Sequence, residues 1–218
     1  MTGTPLPRWI DRARPLAAAA LALVPVYALG VIYYGGSPRT LDVGYSPVQP
    51  VAFSHAIHAG KLGIDCRYCH NTVETATFAA VPPTATCMNC HELINADNDK
   101  LLPVRQSAAD GMPIPWVRVH RLPDYSYFDH GIHVTKGVGC VSCHGRVDTM
   151  EQVYQDQKLS MGWCLDCHND PGPNLRPQEY ITSMDWVSGE DPTLLAKRLM
   201  TQKNVPEEVS TDCSACHR

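Results

Sequence analysis

Residues 128–168, FDHGIHVTKGVGCVSCHGRVDTMEQVYQDQKLSMGWCLDCH, hold two Cys-x-x-Cys-His motifs behind a Phe-x-His-x-x-His leader. In such a motif the two thiols are spaced to bond the two vinyl groups of one haem, and the His that follows can ligate its iron. We therefore interpret the stretch as two haem-attachment sites preceded by two candidate iron ligands.

The same arrangement occurs earlier in the chain, between Phe53 and His91. The second leader His and the first motif Cys are eight positions apart in this copy and seven in the other. The distance between the two motifs differs by three residues, which a loop can absorb. We interpret the two stretches as an internal duplication of a two-haem module. A fifth motif lies at 213–217.

Every cysteine in the chain belongs to one of these five motifs, which we number sites 1 to 5 in chain order. The expected thioether residues are Cys66 and Cys69, Cys87 and Cys90, Cys140 and Cys143, Cys164 and Cys167, and Cys213 and Cys216. The expected proximal iron ligands are His70, His91, His144, His168 and His217. Zinc sites and a disulfide scaffold are the alternatives, but neither explains a His directly after every cysteine pair. We expect five covalently bound haem c groups.

The remaining histidines match the number of irons, because ten His less five proximal ligands leaves five. The predicted distal ligands are His55, His58, His120, His130 and His133. Four of them lie in the two leaders, whereas His120 stands alone in WVRVHRLPDY. A Met thioether, which raises a haem potential relative to His, is the alternative for one position. Met150 and Met161 are the best placed, and Met184 is a weaker candidate.

The composition indicates that the haems supply part of the apolar interior. Charged residues make up 18% of the 218 residues, below the typical ~25% of soluble proteins. Aromatic residues make up 7%, and 18 prolines interrupt the backbone. The formal net charge is −4, and no basic stripe indicates nucleic acid as a partner.

The N-terminal part of the chain predicts a membrane anchor. Residues 15–34 carry no charge, and twenty helical residues span about 30 Å, the thickness of the bilayer core. The preceding segment, 1–14, contains three Arg and one Asp, which predicts a cytoplasmic N-terminus. The haem region then lies in the periplasm, on a single-pass protein of the bacterial cytoplasmic membrane. A cleaved signal peptide is the alternative, but the apolar run is longer than is usual for one.

The rest of the chain divides at the motifs. We expect a Gly/Pro-rich linker at 35–52, a first di-haem module at 53–91 and a second at 128–168. Between the modules, residues 92–127 carry His120 and a short helix near 101–109. The C-terminal segment, 169–218, is expected to be coil to about residue 190. It then forms a helix at 192–202, with Asp191 as its cap and Pro192 in its first turn, before site 5.

The pattern of leaders and motifs resembles those of two families. The leaders FSHAIHAG and YFDHGIHVTKGVGCVSCHG are similar to those of the class III cytochromes. The longer pattern WVRVHRLPDYSYFDHGIHV…CHGRVDTMEQV…LSMGWCLDCHNDP, with five sites behind one anchor, resembles the pentahaem cytochrome c subunit of alternative complex III. The resemblance covers nearly the whole chain, and the second module is its most specific part. It implies a class III-like multihaem cytochrome c fold, with short helices and coil wrapped around five haems and one N-terminal transmembrane helix.

The same resemblance implies a function and partners. The family relays electrons from a quinol-oxidising membrane complex to a periplasmic acceptor or a terminal oxidase. Its partners are an integral quinol-binding subunit, an iron–sulfur subunit and a monohaem cytochrome c. We therefore expect an electron-transfer subunit without a catalytic site of its own.

Two other readings fit the residues less well. A pentahaem nitrite reductase needs an open iron and replaces one proximal His by Lys, whereas all five sites here end in His. The membrane-anchored quinol dehydrogenase cytochromes commonly carry a Met two residues after the first proximal His, where this chain has Thr72. An electron-transfer partner of another quinol-linked reductase remains the alternative function.

His120 gives the sharpest sequence-based prediction. If it ligates an iron, His120→Ala opens one haem to carbon monoxide and changes one reduction potential, which optical spectra and a redox titration would detect. If the spectrum and all potentials stay as in the parent protein, Met150 or Met161 becomes the better candidate.

Overall fold

The computed structural model describes residues 7–36 and 41–217. The chain separates into two compact units, Met1–Asp42 and Val43–Arg218. Parts of the predicted N-terminal segment and linker, residues 1–6 and 37–40, lie outside the described residues, as does Arg218.

The first unit consists mainly of helix α1, Arg8–Gly35. Its Trp9–Gly35 portion has a mean hydropathy of 2.1 and is long and apolar enough to cross a membrane. The predicted span, 15–34, lies within α1, with Pro15 and Pro25 inside the helix. The helix begins earlier than predicted, and an Arg14–Asp11 ion pair at 3.0 Å supports this polar first part.

The second unit is built from short helices and coil. Its α-helices are α2 Cys66–Cys69, α3 Thr84–His91, α4 Leu102–Asp110, α5 His130–Thr135, α6 Cys140–His144, α7 Met161–Asn169, α8 Pro192–Lys203 and α9 Cys213–Cys216. A π-helix covers Ala56–Lys61, and 3-10 turns cover Asp99–Leu101, Val147–Thr149, Gly172–Asn174 and Gln178–Tyr180. Within 41–217 there is no β-strand, and the isolated bridges are Ser126 with His217 and Val138 with Leu175. This architecture confirms the expected fold class.

Each of the five motifs forms a helical turn, in α2, α3, α6, α7 and α9. Residues three apart on a helix share one face, so the two cysteines of a motif point to the same side. Two of these turns have side-chain caps: Asp65 accepts a hydrogen bond from Arg67 N, and Ser160 accepts one from Trp163 N. Each motif therefore places its two cysteines on the same side of a helical turn, where both can bond one haem.

The structure confirms the two helices predicted outside the motifs. Helix α4 covers Leu102–Asp110 and ends at Gly111, whose φ of 72° favours glycine. Helix α8 starts with Pro192, and the Asp191 carboxylate accepts hydrogen bonds from Thr193 N and Leu194 N at 2.9 and 3.1 Å. The expected coil between residue 169 and α8 contains two 3-10 turns.

The protein core of the second unit is small. Leu175, Leu195 and Leu199 form its main cluster, against which Trp186 and Val138 pack. The other buried hydrophobic residues among those described are Val51, Val104, Val134, Met150 and Ile181. So few buried side chains agree with the expectation that the haems supply much of the apolar interior.

Helix α8 provides a stability test with an internal control. Leu199 is 1% exposed and Leu194 is 66% exposed on the same helix. Leu199→Ala should lower the free energy of unfolding by about 2 to 5 kcal/mol, because it leaves a cavity in the small cluster. Leu194→Ala should change it by less than about 0.5 kcal/mol. Denaturant unfolding of the haem-loaded chain measures both, and equal losses would contradict this assignment of the core.

Candidate haem sites and their ligands

The two leaders share one ring arrangement. Phe53 meets His55 edge-on at 4.8 Å between centroids and stacks on His58 at 4.3 Å. Phe128 meets His130 edge-on at 4.8 Å and stacks on His133 at 4.6 Å. In each copy one phenyl ring therefore holds two imidazoles at a fixed angle to each other, as the duplicated pattern predicts.

The extra residue in the first copy is absorbed by the π-helix. Leu62 N donates to Ile57 O, five residues back, at 2.9 Å. At the equivalent place in the second copy, Lys136 N donates to Ile132 O, four residues back, at 3.0 Å. A π-helix accommodates one inserted residue without disturbing the turn before it. The ring geometry of the leader is thereby kept despite the longer spacing.

Backbone carbonyls orient the imidazoles of both leaders. His58 Nδ1 is 2.9 Å from Ser54 O, and His133 Nδ1 is 2.7 Å from Asp129 O. A ring nitrogen that donates to a carbonyl leaves Nε2 with its lone pair free for a metal. The second leader His of each module is thus held in the tautomer that iron ligation requires.

The first-module and C-terminal loops orient further imidazoles in the same way. His70 Nδ1 lies 2.6 Å from Ala80 O, and His91 Nδ1 lies 2.9 Å from Ile94 O. Two contacts cross larger stretches of chain: His130 Nδ1 to Thr77 O and His168 Nδ1 to Ser210 O, each at 2.9 Å. Sequence reasoning missed these carbonyls, because a backbone oxygen leaves no residue-type signal.

Three pairs of imidazoles have the separation of two ligands on one iron. The ring centroids are 6.1 Å apart for His58 and His91, and 6.3 Å apart for both His133–His168 and His130–His144. Metal–imidazole bonds of about 2 Å on opposite sides of an iron place two ring centroids roughly 6 Å apart. Each pair joins a predicted distal ligand to a predicted proximal ligand.

His55 and His120 are partly buried next to proximal imidazoles. Burial, followed by the neighbouring His70 and His58, lowers the pKa of His55 to about 4. His120 lies 4.4 Å from His144 between centroids, and burial lowers its pKa as well. Among the described residues, His55 Nδ1 and His120 Nε2 have no hydrogen-bond partner. An unpaired ring nitrogen in a buried position is suited to a metal bond.

His144 of site 3 is the most strongly desolvated of these imidazoles. Burial, and then the neighbouring His120 and His130, lower its pKa to about 3. It is therefore neutral at physiological pH, and the neutral form is the one that ligates iron.

The methionine candidates are placed differently from one another. Met150 is 4% exposed, and its carbonyl accepts a hydrogen bond from Ala56 N of the first leader at 3.0 Å. Met161 is 59% exposed and lines a small cavity together with His168 and His217. Met184 is partly buried. Of the three, Met161 shares a cavity with the His of site 5.

Gly60 tests how tightly the first leader is packed. A Cβ at this position would collide with the backbone carbonyl of Asp148, in the turn after site 3. Gly60→Ala should therefore destabilise the haem-loaded chain by about 1 to 3 kcal/mol and shift the potential of at least one haem. Gly162 in α7 has open space around its Cβ position, so Gly162→Ala should be neutral or stabilise by up to ~1 kcal/mol. If both variants unfold like the parent, the leader is not held against this turn.

Comparison with known proteins agrees with this geometry. Residues 51–108 and 126–218 match the family described as cytochrome c7 and related cytochrome c. The multihaem cytochrome c subunit of a menaquinone reductase from Nitratidesulfovibrio vulgaris is 33% identical over 141 residues, covering 55% of this chain and 67% of the relative. Family membership implies covalently bound haem c, for which the paired cysteines and free ring nitrogens described above are suited. The chain belongs to the family of cytochrome c7 and related multihaem cytochromes c.

Proposed function

We propose that this chain relays electrons through five covalent haems from a quinol-oxidising membrane complex to a periplasmic acceptor or terminal oxidase, as in alternative complex III. The proposal rests on the three pairs of imidazoles at sites 2, 3 and 4, whose ring centroids are about 6 Å apart. Haem iron, when bound, supplies the one-electron chemistry. The chain's own residues set the ligands, the spacing and the burial of each haem.

The ligand arrangement favours conduction over catalysis. An iron with a protein imidazole on both sides has no position for a substrate such as nitrite. The carbonyl contacts to His58 and His133 Nδ1 hold these rings in place, so the ligand geometry changes little when an electron arrives. We therefore propose an electron-transfer subunit with no catalytic site of its own.

Helix α1 supports the proposed membrane location. Residues 15–34 within this helix contain no acidic, basic or His side chain, so they offer no proton acceptor for quinol oxidation. Quinol oxidation then depends on a separate integral membrane subunit. We propose that α1 anchors the chain in the cytoplasmic membrane, with the N-terminus cytoplasmic and the haem region periplasmic. An iron–sulfur subunit and a monohaem cytochrome c complete the proposed complex.

Two residues compete for the distal position at site 5. His120 has a buried Nε2 without a hydrogen-bond partner, but it lies 4.4 Å from His144 of site 3. Met161 shares a cavity with His217 of site 5. The variants His120→Ala and Met161→Leu separate the two candidates. If the Met161 thioether is the ligand, Met161→Leu lowers the potential of the site 5 haem, and His120→Ala leaves that potential unchanged.

The relative favours a second candidate function, in which electrons travel in the opposite direction. That relative is a menaquinone reductase subunit, so electrons in its complex reduce menaquinone. A haem chain conducts in either direction, according to the potentials of the donor and the acceptor. The alternative function for this chain is therefore electron delivery to a quinone-reducing membrane subunit.

A reconstituted membrane complex tests the proposed function. Addition of a reduced menaquinone analogue should reduce the haems of this chain, and a periplasmic cytochrome c should reoxidise them, as followed by absorbance. The isolated haem-loaded chain should accept electrons from dithionite but show no turnover with quinol or nitrite. Reduction of quinone by pre-reduced haems, without haem reduction by quinol, would support the second candidate. Quinol or nitrite turnover by the isolated chain would overturn the relay.

A further inference from the structure

Sites 1 and 2 contact each other through the residues inside their motifs. Asn89 Nδ2, between the two cysteines of site 2, donates to the Tyr68 hydroxyl, between those of site 1, at 3.0 Å. The cysteine edges of these two sites therefore lie side by side.

Sites 1 and 3 meet although they belong to different modules. Cys140 N donates to Ile181 O at 3.1 Å, and the next residue, Thr182, donates through its hydroxyl to the Asp65 carboxylate at 2.9 Å. Asp65 caps the helical turn of site 1. These contacts join site 1 to site 3 by way of Ile181 and Thr182.

Sites 3 and 4 are joined through Asn174. Gly139 N, immediately before the first cysteine of site 3, donates to Asn174 O at 3.1 Å. The Asn174 side chain donates to Cys167 Sγ of site 4 at 3.5 Å. One asparagine therefore contacts both sites.

Sites 4 and 5 face a common cavity. Cys164 and His168 of site 4 line it on one side, and Cys213, Cys216 and His217 of site 5 line it on the other. His168 Nδ1 is also anchored to the Ser210 carbonyl, three residues before site 5 begins.

Exposure identifies the two ends of this series. Cys90 of site 2 and Cys213 of site 5 are the exposed cysteines, and the other eight are partly buried. An exposed cysteine edge lets a bound haem approach another protein closely. Sites 2 and 5 are also the sites with a single neighbour in the contacts described above.

We propose that electrons pass through the five sites in the order 2–1–3–4–5, with sites 2 and 5 as the terminals for the external donor and acceptor. The order rests on the proposed electron-relay function, and it differs from the order of the motifs in the sequence. Site 3 is the central site of this order, and its partly buried position shields its haem from solvent. The site 1–site 3 junction carries every electron that crosses between the modules.

Equivalent substitutions in the two leaders test this order. His58 and His133 occupy the same leader position, and their rings face His91 of site 2 and His168 of site 4. His58→Met and His133→Met should each raise the potential of one haem, so that it is reduced earlier in a titration. A reduced haem makes reduction of adjacent haems less favourable by charge repulsion, so only neighbouring midpoints fall. Proton NMR of the haem methyl groups follows each haem separately.

The proposed order predicts different results for the matched pair. His58→Met should lower the midpoint of one other haem, because site 2 is terminal, and His133→Met should lower those of two. If a variant loses its haem instead, the midpoints of the adjacent haems should rise, for one haem in His58→Met and for two in His133→Met. Equal counts in the two variants would overturn the order. Failure of the relay itself would appear differently, as an intact pattern of interactions in a complex that does not pass electrons between quinol and acceptor.

Discussion

The rest of the structure depends on one constraint: two cysteines and a histidine within five consecutive residues must reach the same haem. A single helical turn satisfies it, because it brings residues three apart to one face, and all five motifs form such turns. The constraint also explains why the second unit needs so little regular structure. Its main cluster of buried hydrophobic side chains contains Leu175, Leu195 and Leu199, and covalent haems supply much of the apolar mass in the proposed protein.

Ligand orientation depends on a second layer of contacts, which come largely from the backbone. Within each leader, a backbone carbonyl four residues earlier orients the second His. This contact is local to the leader, and it was duplicated with the module. Other carbonyls come from distant loops, as Thr77 does for His130 and Ser210 for His168. The Thr77 contact ties the second leader to the first module, and the Ser210 contact ties site 4 to the C-terminal segment, so the orientation of His130 depends on the fold of the first module.

The sequence predicted the features that depend on residue type and short spacing. These include the five motifs, the two leaders, the apolar helix, and α8 with its Asp191 cap. It did not predict the carbonyl anchors, because every residue carries a carbonyl, nor the π-helix that absorbs the additional residue before site 1. The position of His120 next to His144, and the contact of site 1 with site 3, depend on tertiary packing between segments far apart in the chain. The predicted module boundaries, and the assignment of the cysteines to haems and of the histidines to iron, remain predictions.

We propose that the ten cysteines hold five haems on one chain. The most direct measurement is the intact mass of the full-length chain, matured in a host with a cytochrome c assembly system and denatured before analysis. The expected mass is that of the polypeptide plus five haems, with no free thiol available to an alkylating reagent. A fully matured chain with four or fewer haems, and reactive thiols in the motif that lacks one, would contradict it.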